Sequence, residues 1–226
     1  MAVGFDAVMT GGNSSDGDCQ QIAASTTISS TGMTTGASAT LLIAVLHWQN
    51  DSGGSRTCTW NGVSMTEAIS VLNSTLSRSS IFYLVNPAIG NKTLAASWAN
   101  SVDCYMSAVS FTGTNTSTGI QTADNVSGTT GTTVTVTSTT DGATVAAWGT
   151  NGSSPTLNFT KIYDNAPLNP GAGASYALGG TSNGHTFTGA GGTAPAWTGV
   201  HVIAGSAASD FPLNPRAGMD TAMMGT

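Results

Sequence analysis

Apolar and polar residues alternate with a period of two in short runs along this chain, and glycine or proline breaks the runs at short intervals. Thr132–Thr137 (TTVTVT) puts Val134 and Val136 on one face and threonines on the other. Successive strand side chains point to opposite faces, so this pattern belongs to a sheet with one dry and one wet side. Gly11-Gly12, Gly53-Gly54, Asn86-Pro87, Gly113, Asp141-Gly142, Asn151-Gly152 and Gly191-Gly192 separate the runs. No window shows the 3.6-residue period of an amphipathic helix. Helix formers are also scarce, with Glu67 the single glutamate and Lys92 and Lys161 the two lysines.

Expected strands are 5–10, 22–29, 39–48, 58–60, 63–71, 80–85, 92–98, 103–111, 132–137, 144–149, 157–163, 174–178, 185–188 and 198–204. The stretch 40–48 (TLLIAVLHW) is almost wholly apolar, as a central strand covered on both faces would be. Many short strands at this spacing imply an all-β, two-sheet antiparallel sandwich, expected to be of jelly-roll type. One domain spans residues 1–208, with 1–37 forming an N-terminal strand or arm region. No repeat and no shift in composition marks a second domain.

The charge pattern narrows the partners. Charged residues make up 7% of the chain, against roughly 25% in an ordinary soluble domain. Thr, Ser, Asn and Gly must therefore build the surface. The formal charge is −6, and the five cations, Arg56, Arg78, Lys92, Lys161 and Arg216, are scattered. Phosphate backbones and anionic lipid surfaces need clustered cations, so nucleic acid and membrane are excluded as partners. The N-terminus, MAVGFDAVMTGG, has neither the basic nor the apolar region of a secretory signal. The run 40–48 is too short to span a bilayer as a helix. Cys19, Cys58 and Cys104 lack CxxC spacing and read as reduced thiols, with one disulfide plus one free thiol as the alternative.

Candidate chemistry is sparse. Glycoside hydrolysis needs two carboxylates flanking the bond. Glu67 could pair with Asp51, Asp103, Asp124 or Asp164, but no spacing singles out a pair. In strict alternation Glu67 shares a face with Val63, Met65 and Ile69, and it reads as a group reaching solvent at a strand end. His47, His185 and His201 form no metal-ligand motif, and no GxSxG elbow is present. Asp16-Gly17-Asp18 resembles a fragment of a calcium loop without its later ligands, and reads more simply as an Asx-type turn. Of Trp48, Trp60, Trp98, Trp148 and Trp197, four lie in or at the end of apolar strands, where core packing is the default. No enzymatic activity, cofactor or metal is expected.

Two stretches hold the candidate contacts. Residues 209–226 (SDFPLNPRAGMDTAMMGT) contain prolines that exclude a central strand, together with apolar anchors. This segment reads either as a disordered tail or as an extended arm that orders when a neighbour supplies a groove. Phe211, Pro212, Leu213, Pro215, Arg216, Met219, Met223 and Met224 are its candidate subunit contacts. The other stretch is the loop Asn61-Gly62, the preferred sequence of a two-residue type I′ turn, which would place Trp60 opposite Val63. It is a candidate contact loop on the sandwich rim.

Three stretches together, 59–65 (TWNGVSM), 81–87 (IFYLVNP) and 108–114 (AVSFTGT), resemble a β-sandwich domain of tailed-bacteriophage structural proteins. There a Trp-Asn-Gly hairpin precedes a strand ending in Asn-Pro and another ending in a Thr-Gly corner. Residues 141–149 (DGATVAAWG) and 197–204 (WTGVHVIA) extend the resemblance over about residues 38–205. The resemblance implies a non-enzymatic virion protein made in the bacterial cytoplasm. Its first form is a capsid decoration, or cement, protein bound to the assembled major capsid protein, with other virion proteins as further partners and a homo-oligomer expected on the particle. The alternative is a carbohydrate-binding tail or fibre module that recognises host glycans.

Overall fold

A computed structural model of the chain describes residues 1–14, 16–49, 54–74, 76–152, 155–165, 171–188 and 192–206. Its strands are β1 (Gly4–Val8), β2 (Gln20–Thr35), β3 (Leu41–Gln49), β4 (Arg56–Trp60), β5 (Val63–Ser64), β6 (Thr66–Asn73), β7 (Ser77–Val85) and β8 (Gly90–Thr112). They continue with β9 (Ile120–Gly128), β10 (Thr133–Thr137), β11 (Ala143–Gly152), β12 (Thr156–Leu157), β13 (Thr160–Asn165), β14 (Gly171–Leu178), β15 (Ser182–Thr188) and β16 (Gly192–Val202). Every strand pairing is antiparallel. No helix among the described residues is long and apolar enough to cross a membrane.

Two sheets form the sandwich. The larger runs β5-β4-β8-β3-β7-β6, with β1 and β2 also on β8, and the five-stranded one runs β13-β14-β11-β16-β9. The expected all-β antiparallel sandwich is therefore present. A further three-stranded sheet, β10-β15-β12, packs on the outer face of the five-stranded one, through Val134, Val136 and Phe187 against Ala146 and Trp148.

Strand β3 explains the depth of the stack. All nine of its residues are buried. Leu41, Ile43 and Val45 face the five-stranded sheet and join Val145, Ala174 and Val200 in the central core. Leu42, Ala44, Leu46 and Trp48 face the other way, onto Leu94, Ala96, Trp98, Cys58 and Trp60. That second core exists because β8 bends. Its second half pairs with β3, and its first half, pairing with β4, folds over the face of the same sheet. The edge-on contact of Trp48 with Trp98, ring centroids 5.8 Å apart, closes the fold near the bend. Strand β2 follows through bulges between Ile22 and Ser25 and between Ser25 and Thr27, which supply the extra twist. Ala24 there takes a positive φ of 46°, and the Asp103 carboxylate accepts its N–H at 2.8 Å.

Several expected boundaries shift. The expected strands 92–98 and 103–111 are one continuous strand, β8, in which Ala99–Ser101 bulges out between the Ser97–Thr27 and Val102–Ser25 pairs. The expected strand 63–71 is two, parted where the Met65 N–H donates to the Cys58 carbonyl at 2.8 Å. With the strand broken at Met65, Val63 is exposed, Met65 is buried and Glu67 faces solvent, and a bulge at Ala68 then separates Glu67 from Ile69. The expected strand 157–163 also divides, into β12 and β13. Strand β9 was not expected at all.

Candidate functional site

At one end of the sandwich, the start of β3 and the ends of β7 and β8 meet on one residue. The Thr40 N–H donates to the Phe111 carbonyl at 2.8 Å, and its own carbonyl accepts the Asn86 N–H at 2.9 Å. Its hydroxyl oxygen accepts the Thr114 N–H at 3.0 Å and lies 2.9 Å from the Thr114 hydroxyl. Two corners, Asn86-Pro87 and Thr112-Gly113-Thr114, are thus tied to Thr40. Each turns through a left-handed residue, Asn86 at φ 51° and Gly113 at φ 67°. Gly113 also has no room for a side chain, because a Cβ would collide with the Ala2 carbonyl.

Beyond the second corner, the Asn115 side-chain oxygen accepts the Ser117 and Thr118 N–H groups at 2.9 and 3.1 Å. These groups wall a cleft of about 530 Å³ lined by residues 1, 2, 38, 40, 112–117, 205 and 206. Among the described residues, no aspartate, glutamate, lysine, arginine or histidine side chain lines it. The one charge among them at the wall is the Met1 α-ammonium, which donates to the Gly205 carbonyl at 3.1 Å; the rest is a surface of hydroxyls, amides and methyl groups suited to an uncharged polypeptide.

The hairpin lies where expected. Asn61 and Gly62 have φ of 52° and 79°, and Trp60 pairs with Val63. Trp60 is buried, with its indole N–H donating to the Ala88 carbonyl at 2.9 Å, so the hairpin is anchored to the loop after β7. Asn61 and Gly62 themselves are exposed. Candidate contacts Phe211, Pro212, Leu213, Pro215, Arg216, Met219, Met223 and Met224, like Asp51, lie outside the described residues.

The titratable groups are committed to structure. Glu67 meets Arg56, Nε to Oε1 3.4 Å, while the Arg56 guanidinium sits 5.9 Å from the centre of the Trp48 ring. Asp124 contacts the Nδ1 of His201 at 2.7 Å, and the His201 Nε2 accepts the Thr139 N–H at 3.3 Å. That second bond occupies the lone pair a general base would need. His185 is buried between the Ser175 hydroxyl (2.8 Å) and the Thr144 hydroxyl (2.9 Å), and burial lowers its pKa to about 4. His47 is buried against Gly149. Burial lowers its pKa to about 3, outweighing an opposing backbone group of Arg78. Cys19, Cys58 and Cys104 are buried thiols outside any disulfide, and burial raises Cys58 to about 12, which keeps it protonated and unreactive.

Asp16 and Asp18 do form a turn, with the Ser14 hydroxyl donating to Asp18 at 3.0 Å and Gly17 at φ 73°. Nothing in the local sequence indicates what faces them. Lys161 of β13 reaches Asp16, Asp18 and Asp164, each at 3.0 Å. These three carboxylates lie within 4.8 Å of one another, close enough to hold a metal ion, but the lysine already supplies a cation among them. Burial works against the lysine's charge, and the three carboxylates more than offset it, raising its pKa above the ordinary value.

Four tryptophans are buried. Trp197 is half-buried over Gly128, with its indole N–H donating to the Thr130 carbonyl at 2.8 Å. In comparison with known proteins, no family model, curated protein or solved structure gives a significant match to this chain.

Proposed function

We propose that the protein is a non-enzymatic structural component of a bacteriophage particle, a decoration protein that binds the assembled capsid lattice and stabilises it. The observation that carries the reading is where the phage-like stretches fall. The Trp-Asn-Gly hairpin, the Asn-Pro corner and the Thr-Gly corner form one connected rim, through Trp60 to Ala88 and through Thr40 to Asn86 and Thr114. The charge-poor surface and the end cleft, lined mainly by hydroxyls, amides and methyl groups, suit a protein that recognises its partner by shape. The likeness to a jelly roll and the assignment to the head belong to this proposal. The mechanism is mass action, because a ligand that binds only the assembled lattice stabilises it.

The test is binding of purified protein to assembled heads, followed by cryo-EM localisation. Occupied lattice positions and raised thermal resistance of the heads are expected. Absence of binding to heads at saturating protein would sink the proposal. Deleting residues 209–226 is expected to lower occupancy while the fold persists. The glycan-binding alternative needs an exposed aromatic platform, and among the described tryptophans only Trp197 is accessible enough to contribute one. A flat response of Trp197 fluorescence to host glycans is expected.

A further inference from the structure

The chain leaves the sandwich along one wall of the end cleft. Ala204 bridges Thr114, the Gly205 N–H donates to the Gly113 carbonyl at 2.8 Å, and Ser206 is itself part of the lining. The sequence that follows begins Ala207-Ala208-Ser209-Asp210 and then presents Phe211-Pro212-Leu213-Asn214, an uncharged stretch with two apolar anchors. The geometry points to the end cleft as the docking site for this Phe-Pro-Leu-Asn stretch of the same chain.

Three observations select that occupant. Reach is the first: an extended chain spans at most about 3.6 Å per residue, which puts Phe211 within about 18 Å of Ser206. Chemistry is the second. Apart from the Met1 α-ammonium, already satisfied by the Gly205 carbonyl at 3.1 Å, the described cleft wall carries no charge and offers hydroxyls, amides and small apolar groups, matching a stretch with apolar side chains and one amide. Its volume of about 530 Å³ falls in the range, about 300–1,000 Å³, of sites that enclose compact ligands. Competition is the third. A short tether gives an effective concentration in the millimolar range, so at micromolar protein the chain's own segment outcompetes that of a second copy. Pro212 adds to this by biasing Phe211 towards extended backbone, which lowers the entropy lost on docking. The inference does not depend on what the protein assembles with. If the arm engages a partner, the partner must first displace it from this cleft.

Disulfide trapping in the full chain tests it. Ser117 is exposed on the cleft wall, and the three native cysteines are buried and shielded from oxidant. The double variant Ser117→Cys/Leu213→Cys, mildly oxidised at micromolar concentration, is expected to form an intramolecular disulfide. On a non-reducing gel this gives a faster-migrating monomer. Adding Phe211→Ala should slow its formation several-fold and speed amide exchange over residues 112–117. A control pair, Thr135→Cys with Leu213→Cys, places the thiol on the exposed face of the outer sheet. Equal trapping in the control would overturn the inference, because it would mean the segment samples the surface at random. A covalent dimer would also overturn it by showing a second copy as the occupant, and so would the absence of any cross-link.

Discussion

Two side chains show how a local substitution would propagate. Gly149 lies in β11 directly beneath the imidazole of His47, and a Cβ there would fall inside the ring. Both groups are buried between the two large sheets, so neither has room to withdraw. Overpacking a dense core costs about 1–3 kcal/mol, and Gly149→Ala is expected to lose that much in urea unfolding. Lys161 differs because its side chain is 39% exposed. Partly exposed ion pairs contribute only about 0.2–1 kcal/mol each, and salt screens them. Lys161→Met removes three contacts and leaves three neighbouring carboxylates without their cation. A loss of about 1–2 kcal/mol is expected at low ionic strength. The difference from wild type should shrink clearly in 0.5 M salt, roughly where the Debye length falls to a few ångströms. An unchanged difference would mean that the lysine acts through packing alone.

Strands and turns test the local rules that shape the fold. Gly62 adopts φ 79°, but a Cβ there would meet nothing within 4 Å. Gly62→Ala should therefore cost only the left-handed penalty, about 1–2 kcal/mol, and leave the Trp60–Val63 register unchanged in amide exchange. A larger loss would show that the hairpin rim carries packing not visible in its contacts. The same hairpin marks what the sequence makes legible. Asn-Gly between apolar runs specified the turn, its conformation and the residues facing across it, because that information is local. Likewise the apolar run in β3 revealed a strand covered on both faces. Strand β9 was hidden because its middle, Gln121-Thr122-Ala123-Asp124-Asn125, has no apolar alternation. Its pairing to β16 and the Asn125 amide donating to the Ala68 carbonyl at 3.0 Å come from distant parts of the chain. The bend in β8 was hidden for a related reason. Ala99-Asn100-Ser101 has no strand pattern of its own, and it is carried as a bulge of β8 because Ser25 and Thr27 of β2 pair on either side of it, with Val102 and Ser97. The candidate site divides in the same way. Its corners were readable, but the cleft they enclose depends on Thr40, Thr114 and Gly205 coming together across the sequence. So does the Lys161 cluster, whose Asp16 lies 145 residues away.

The whole molecule is a stack of three cores separated by sheets, with a neutral histidine at two of the junctions. His47 lies between the large sheet and the five-stranded sheet, and His185 between the five-stranded sheet and the outer one. Burial lowers the first to about 3 and the second to about 4, from an ordinary value of 6.5. In the unfolded chain both titrate near 6.5, so below that pH the unfolded state binds protons the folded state refuses. Stability contributed by these groups is therefore intact above about pH 6.5 and falls as the pH drops towards 4. Each unit of pKa difference corresponds to about 1.4 kcal/mol, which makes the loss from His185 on the order of 3 kcal/mol at pH 4. The outer sheet should loosen first, because its hold on Ser175 runs through the His185 ring and that ring shares Thr144 only with the Asn183 amide. Urea unfolding between pH 7 and 4, followed by amide exchange in β10 and β15, would show this order. Replacing His185 with asparagine should lower stability at neutral pH, flatten the acid slope and leave the part due to His47. A wild-type acid slope in that variant would place the titration elsewhere in the molecule.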